Sequence, residues 1–175
     1  MLMNIEQIRN VKRIKELAEL ANNDSIAFEG IFFGIKSTNE RIAYNSSWAA
    51  AHLTEKNSKC DIFRFFPILI EVASTTVKGG IKRNIIKILQ QIPIPVEFQY
   101  DCADLALNAL LNKNDDVAVR AFALTILEHL IVNIPELIEE VLFLIEKEKS
   151  FANAAFIVRS NRFEKTAKKY LGANN

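Results

Sequence analysis

The chain has 175 residues, of which 50% are apolar, so it is long enough to fold as one domain with a sizeable core. Its 22 basic and 21 acidic residues leave a net charge of +1, and this balance holds in every third of the chain, which excludes a general attraction to nucleic acid or anionic membranes. No uncharged stretch approaches the roughly 18 apolar residues of a membrane span, and the first residues do not resemble a secretory signal, so we expect a cytoplasmic protein.

Apolar residues recur at helical rather than alternating spacing almost throughout, and only 5 Gly and 4 Pro interrupt them. This pattern predicts an all-α chain whose helices are joined by short turns. In the N-terminal segment 1–37, the apolar residues from Ile5 to Leu20 predict a first helix that Asn4 caps. Its apolar stripe requires a partner surface, so this segment is expected to form a helical hairpin.

The second helix of this hairpin is predicted to begin after Asp24, whose carboxylate can cap it. Gly30 and Gly34 each lower its helix propensity by roughly 1 kcal/mol relative to Ala. Two glycines at this spacing indicate either the close approach of another helix or a helix that ends at Gly34. The sequence leaves both interpretations open.

Residues 38–149 repeat one apolar pattern three times. Each copy places apolar or small residues at positions i, i+4, i+7, i+8 and i+11 of a helix face. The three sets are Ile42, Ser46, Ala49, Ala50 and Leu53; Ile81, Ile85, Ile88, Leu89 and Ile92; and Val119, Ala123, Ile126, Leu127 and Leu130. They are offset by 39 and 38 residues, a period that fits two helices and two turns. The segment is therefore predicted to hold three helix pairs.

The second helix of each pair is predicted to begin near a proline. Pro67, Pro95 and Pro135 each precede or open an apolar stretch. Proline is tolerated in the first helical turn because its missing N–H would have no intrahelical partner there. A single amphipathic hairpin cannot bury its own apolar face, so the three pairs are expected to stack on one another.

One of these helices carries a recognisable motif. The stretch "DDVAVRAFALTIL" resembles the D-x-x-V-R-x-x-A-x-x-x-L helix of HEAT and armadillo-type repeats, with matches at Asp116, Val119, Arg120, Ala123 and Leu127. The other two units keep the apolar positions but not the polar ones. The resemblance implies a right-handed α-α superhelix, a short HEAT-like solenoid of about eight to nine helices. It also implies that the acid and Arg120 link neighbouring repeats.

The C-terminal segment 150–175 is predicted to form a closing helix from about Asn153 to Leu171, with Gly172 as its stop. Its cations complement the glutamates of the preceding helix, so these two helices are expected to pack as neighbours. With the N-terminal hairpin and the three helix pairs, this cap completes a single HEAT-like repeat domain over residues 1–175.

The sequence offers no catalytic or metal-binding motif. His52, His129, Cys60 and Cys102 lack the spacing of a zinc site and lie in different predicted units. We expect the histidines to border the core with ordinary hydrogen bonds, and the cysteines to be buried small hydrophobes. No nucleophile elbow, phosphate loop or dinucleotide fingerprint is present. The sequence therefore predicts no catalytic residue, metal or cofactor.

DNA alkylation-repair glycosylases provide an alternative, because they are built from HEAT-like repeats and resemble this chain in size and helix pairing. Members of that family use tryptophans, an aspartate and an arginine on a concave surface to hold DNA. Here Trp48 has His52 one turn after it, and Lys82, Arg83 and Lys87 form a local cluster with Lys78. The competing interpretation is that the tryptophan packs in the core or between repeats and that the cations form a solvated helix face.

The leading hypothesis is a non-enzymatic protein-interaction or scaffold module. Stacked hairpins present a continuous surface formed by their second helices, and such surfaces hold extended or helical partners. The residues predicted to contact a partner protein are Glu71, Glu97, Asp101, Asp104, Glu139 and Glu140. An exposed group of phenylalanines would be a further candidate interface, if Phe32, Phe33, Phe63 and Phe65 are not all buried.

Overall fold

The computed structural model describes residues 4–57, 61–149 and 153–173. Within these ranges all regular structure is helical, with nine α-helices and three short 3-10 helices. The α-helices are α1 (Val11–Ala21), α2 (Ser25–Gly34), α3 (Glu40–Lys56), α4 (Phe66–Thr75), α5 (Gly79–Leu89), α6 (Gln99–Leu111), α7 (Val117–Leu130), α8 (Leu137–Lys149) and α9 (Ala154–Ala173). No helix among them is long and apolar enough to cross a membrane. The predicted all-α fold is confirmed.

The chain divides into two compact units, Met1–Pro95 and Val96–Asn175. The boundary falls between α5 and α6, inside the second predicted helix pair. The first unit contains α1 to α5, and the second contains α6 to α9. The assignment of residues 1–175 to one domain stays a prediction.

Helix α3 is the centre of the first unit. It packs against α1, α2 and α5, while α1 also contacts α2 and α4 contacts α5. Small side chains allow this crowding, because Ala49 and Ala50 are fully buried beside Leu53 in the middle of the helix. A helix with neighbours on several sides cannot present a single polar face, so most of α3 is enclosed.

The first helix does not extend back to Ile5 as predicted. Asn4 caps a 3-10 helix of three residues, the backbone is extended at Ile8, and α1 begins only after Asn10, whose side chain accepts a hydrogen bond from Arg13 N. The buried amide of Asn45 on α3 donates to the Ile5 and Ile8 carbonyls at 2.7 and 3.2 Å. These side-chain bonds stabilise the break because they satisfy backbone groups that a continuous helix would otherwise pair.

The two interpretations of the glycine pair on α2, a close helix approach and a helix end, both apply to Gly34. Asp24 caps α2, as predicted, and the helix ends at Gly34. A Cβ at Gly34 would lie 2.3 Å from Ser46 Oγ, so α3 approaches α2 closely at this point. A Cβ at Gly30 would meet nothing within 4 Å. The close approach therefore requires only the second glycine.

Proline stands at the entry to all three second helices. Pro67 lies in the first turn of α4, as expected. Pro95 precedes the 3-10 helix Val96–Phe98, which runs directly into α6, and Pro135 lies in the turn before α8. The prolines thus mark the places where a helix begins, although two of them lie just outside it.

Arg120 connects three helices of the second unit. Its Nε donates to the carbonyl of Leu110 on α6 at 3.1 Å, and its Nη2 donates to Glu148 Oε2 on α8 at 2.7 Å. The hydrogen bond from Arg120 is the largest cause that lowers the pKa of the Glu148 carboxyl. Asp116 caps the helix that carries the arginine, through Ala118 N. Arg120 therefore links neighbouring helix pairs, as the repeat motif implies.

The expected pairing of acidic α8 with basic α9 needs correction. The two helices are neighbours, but α9 packs mainly on α7, and the α8–α9 ion pair joins Lys149 to Glu164 with the opposite polarity. Phe156 and Phe163 of α9 are buried. Burial of one large apolar side chain contributes about 1.5–3 kcal/mol, whereas an exposed ion pair contributes about 0–1 kcal/mol. Apolar burial therefore decides how α9 packs.

Substitution of the two α2 glycines is predicted to change stability in opposite directions. Gly34→Ala should lower the free energy of unfolding by about 1–3 kcal/mol, because its methyl group would collide with buried Ser46. Gly30→Ala should raise it by about 0.5–1 kcal/mol, because its Cβ enters open space and alanine favours the helix. Urea denaturation followed by circular dichroism measures both changes.

The double variant Gly34→Ala with Ser46→Ala is the internal control. Removal of the Ser46 hydroxyl should recover part of the stability that Gly34→Ala loses, because Oγ is the atom closest to the added methyl. Equal effects of the two single glycine substitutions would contradict the close approach of α2 and α3.

Candidate functional site

The six predicted partner-contacting acids are all exposed, but they occupy different helices. Glu71, on α4 in the first unit, forms an ion pair with Lys36 at 2.8 Å. Glu139 and Glu140 lie in the first turn of α8. The remaining three acids lie close together along the chain, two of them on α6 and one in the 3-10 helix that runs into α6. They are Glu97, Asp101 and Asp104. The structure thus brings together half of the predicted set.

These three acids lie beside a row of exposed apolar side chains that the sequence analysis did not single out. The row contains Val96, Tyr100 and Leu111, which are 75%, 66% and 54% exposed. The acids follow the i, i+4, i+7 spacing and the apolar residues the i, i+4, i+15 spacing, and both spacings place residues on one helix side when counted from the 3-10 helix Val96–Phe98 into α6. We call the six residues together the α6 face. Within the described ranges its acids form no ion pair, so the charges of this face are not neutralised there.

The sequence contained the signal for this apolar row. Tyr100 and Leu111 lie on a side of α6 different from the side with Cys102 and Ala106 in the core, and Val96 precedes them in the 3-10 helix that runs into α6. A helix with apolar residues on two sides is expected to have more than one partner surface. The core stripe alone accounts for the packing of α6 on α7, which leaves the other stripe exposed.

The alternative set of residues is also assembled, on α3 and α5 of the first unit. Trp48 is half-buried and lies between Tyr44 and His52, with ring centroids 5.7 and 6.3 Å apart. Lys87 lies on the neighbouring α5 and is among the charges that act on His52. The aromatic row is therefore part of the surface of α3, and the tryptophan packs chiefly along its own helix.

Acidic residues of α3 lie against the cation cluster of α5. Lys78 pairs with Glu40 at 2.8 Å, and Lys87 pairs with Glu55 at 3.0 Å. Lys82 and Arg83 are half-buried on the same helix. Residues 78–87 include no acidic residue, but the acids of α3 that precede them in the chain form these ion pairs. A phosphate backbone would have to compete with these carboxylates.

Burial disfavours the charged form of His52. It lowers the pKa of the imidazole, and the charge of Lys87 lowers it further. Nδ1 lies 3.5 Å from Glu55 Oε2, while Nε2 is buried and has no hydrogen-bond partner among the described residues. The expectation of ordinary hydrogen bonds is therefore wrong for Nε2. His129 is exposed at the end of α7 and lies in the other unit.

Cys102 does not have the surroundings of a reactive thiolate. Cys102 is fully buried on α6, and burial raises its pKa to about 12, so the thiol stays protonated at neutral pH. This agrees with the predicted small buried hydrophobe. Cys60 lies outside the described residues. Across those residues no three metal-ligating side chains lie close enough together to hold an ion.

The phenylalanines near the N-terminus divide into two classes. Phe32 and Phe65 are fully buried and their rings stack at 4.7 Å, whereas Phe33 and Phe63 are about half exposed. Ile26, two turns before Phe33 on α2, is also exposed. The first unit therefore has an apolar surface patch on α2, and nothing in the structure indicates which partner covers it.

The lowered pKa of His52 predicts how the free energy of unfolding depends on pH. Its pKa is lower in the folded than in the unfolded protein, so the folded protein binds fewer protons. The resulting stabilisation is complete above the unfolded pKa of about 6.5 and is lost as pH falls below it. His52→Gln should weaken the decrease in unfolding free energy between about pH 7 and 5.

Urea denaturation at several pH values measures this effect, and an NMR titration of the imidazole measures the pKa directly. The His52→Gln variant assigns the resonance. A titration midpoint at or above the value of the unfolded chain would contradict the proposed effect of burial.

Comparison with known proteins agrees with the repeat architecture. The HEAT repeat domain family matches residues 3–166, which is nearly the whole chain. No curated protein and no solved structure matches the chain. The matched residues include the Asp116–Arg120 motif and the whole segment 38–149. The chain therefore belongs to the HEAT repeat family.

Proposed function

We propose that this chain is a non-enzymatic interaction module that binds a positively charged protein through the second helices of its repeats. HEAT repeats generally serve as protein-interaction scaffolds and are usually non-enzymatic. The observation that carries the proposal is the α6 face. It combines three exposed acids that are not ion-paired within the described ranges with an exposed tyrosine and two exposed aliphatic side chains.

The α6 face has the composition of a protein interface. Aromatic side chains are enriched at interfaces, where an apolar ring and a polar hydroxyl are both used. Exposed apolar side chains in a row favour binding to a partner, because the removal of their surface from water lowers the free energy of the complex. The adjacent carboxylates contribute specificity and attract a cationic partner at long range. The preferred partner surface is therefore basic and partly apolar.

Helix α8 provides a second surface of the same kind in this unit. Glu139 and Glu140 lie one turn before Phe143, which is about half exposed. Lys147 lies 4.1 Å from the centre of that ring, so a cation already occupies one side of it. This local arrangement indicates the chemistry that a partner's lysine or arginine would use against an exposed ring.

The partner-binding role is tested by neutralising the acids of the α6 face. A tagged chain with Glu97→Gln, Asp101→Asn and Asp104→Asn should lose proteins that the wild-type chain captures from extracts of its native cells. The expected loss is at least about tenfold for a partner whose charges pair with all three acids. Quantitative mass spectrometry of the captured proteins measures the loss.

The matched control removes three exposed acids of the first unit, by Glu6→Gln, Glu40→Gln and Asp61→Asn. It changes the net charge by the same amount and should retain the captured proteins. Equal capture by the α6-face variant and the control would contradict the proposal, since general charge would then explain the binding.

Nucleic-acid binding is the second candidate, and the aromatic row Tyr44, Trp48 and His52 beside Lys87 is the observation that favours it. The ion pairs of Lys78 and Lys87 with α3 acids oppose it, because phosphates would have to displace carboxylates. We therefore expect no shift of duplex DNA in a mobility assay at about 50 mM salt. A shift that Trp48→Ala and Lys87→Ala abolish would replace the protein-binding proposal with this one.

A further inference from the structure

Helix α9 presents an exposed cationic stripe. Val158, Arg162, Lys165 and Lys169 follow one another at three- or four-residue spacing and are all exposed. Val158, Lys165 and Lys169 lie away from the side of the buried Phe163, and Arg162 lies at the edge of that side. We call these four residues the α9 face. Lys165 and Lys169 form no ion pair with any described residue. The face is therefore a basic stripe with one apolar residue at its beginning.

Arg162 can serve both the fold and a partner. Its Nε bonds Glu128 on α7, at 2.9 and 2.8 Å to the two carboxylate oxygens. This contact fixes the direction of the guanidinium group. The terminal nitrogens of a guanidinium group carry further donors that one Nε contact does not use. A carboxylate approaching from outside could bind them.

The α6 and α9 faces match each other in charge and spacing. The acids Glu97, Asp101 and Asp104 are four and then three residues apart, whereas the cations of the α9 face are three and then four residues apart. Antiparallel packing of α9 on α6 places Arg162 and Lys165 opposite Asp104 and Asp101, because two α-helices rise equally per residue. Lys169 then lies toward Glu97, in the 3-10 helix that precedes α6. In this register Val158 falls near the Leu111 end of the α6 apolar row.

We infer that the α9 face of one copy of this chain docks antiparallel on the α6 face of a second copy. The inference rests on the proposed function, because it names the partner of the α6 face. The resulting pairs are Lys169 with Glu97, Lys165 with Asp101, and Arg162 with Asp104. Tyr100 lies between the first two acids, so its ring contacts the aliphatic stems of the two lysines and can bind a cation.

We expect the association between copies to be weak and reversible. Each docked helix face spans only about two to three turns, and such a contact is smaller than the roughly 1,000 Å² of stable interfaces. Three exposed ion pairs supply much of the attraction, and salt screens them. The association therefore occurs at high protein concentration and low ionic strength, and it is reversed as salt is added.

The full chain tests this association by sedimentation velocity, over a concentration series at about 50 mM and 500 mM salt. We expect the mean mass to rise with concentration at low salt and to return to the monomer at high salt. Two charge-reversed variants should each remain monomeric: Glu97→Lys with Asp104→Lys, and Lys165→Glu with Lys169→Glu. An equimolar mixture of the two variants should associate again, because each reversed face meets its complement.

A control variant reverses two exposed acids that belong to neither the α6 face nor the predicted partner-contacting set, Glu136→Lys and Glu146→Lys, and should associate like the wild-type chain. Far-UV circular dichroism of every variant confirms that it is folded. A wild-type chain that is monomeric at all concentrations overturns the inference, as does a mixture of the two reversed variants that stays monomeric. If the chain is monomeric but still captures partners through the α6 acids, only this inference fails and the proposed function stands.

Discussion

The enclosure of α3 and α7 by neighbouring helices is the constraint on which the rest of the structure depends. Each central helix packs against helices before and after it in the chain, so polar side chains become buried between helices. Buried polar groups destabilise a fold unless they are hydrogen-bonded. Ser47 accepts from Asn84 at 3.0 Å, Thr54 donates to Gln91 at 2.9 Å, and Glu128 accepts from Thr166 at 2.9 Å.

These bonds also explain why the helices keep a fixed register. Ser47 and Asn84 are 37 residues apart, as are Thr54 and Gln91, which is close to one repeat period. Each bond therefore joins similar places in successive repeats. Apolar packing alone would tolerate sliding, whereas a donor and an acceptor must meet at one relative position. The polar pairs between repeats thus add specificity to a stack that apolar burial stabilises.

The sequence was sufficient for the features that depend on local pattern. Helical periodicity predicted the helices, and the cap at Asp24 follows from chemistry within one turn. It was insufficient where distant residues decide. The break after Ile8 depends on Asn45, which is 37 residues away, and the packing of α9 depends on its buried side facing α7. The exposed row on α6 was missed because spacing cannot distinguish a buried stripe from an exposed one.

Trp48 is the only tryptophan in the chain and lies within the first compact unit, half-buried between two other rings. Its indole emission therefore reports the surroundings of α3 within the first unit. Far-UV circular dichroism, in contrast, reports the helices of both units. Coincident melting curves from the two methods would mean that both units unfold as one cooperative body.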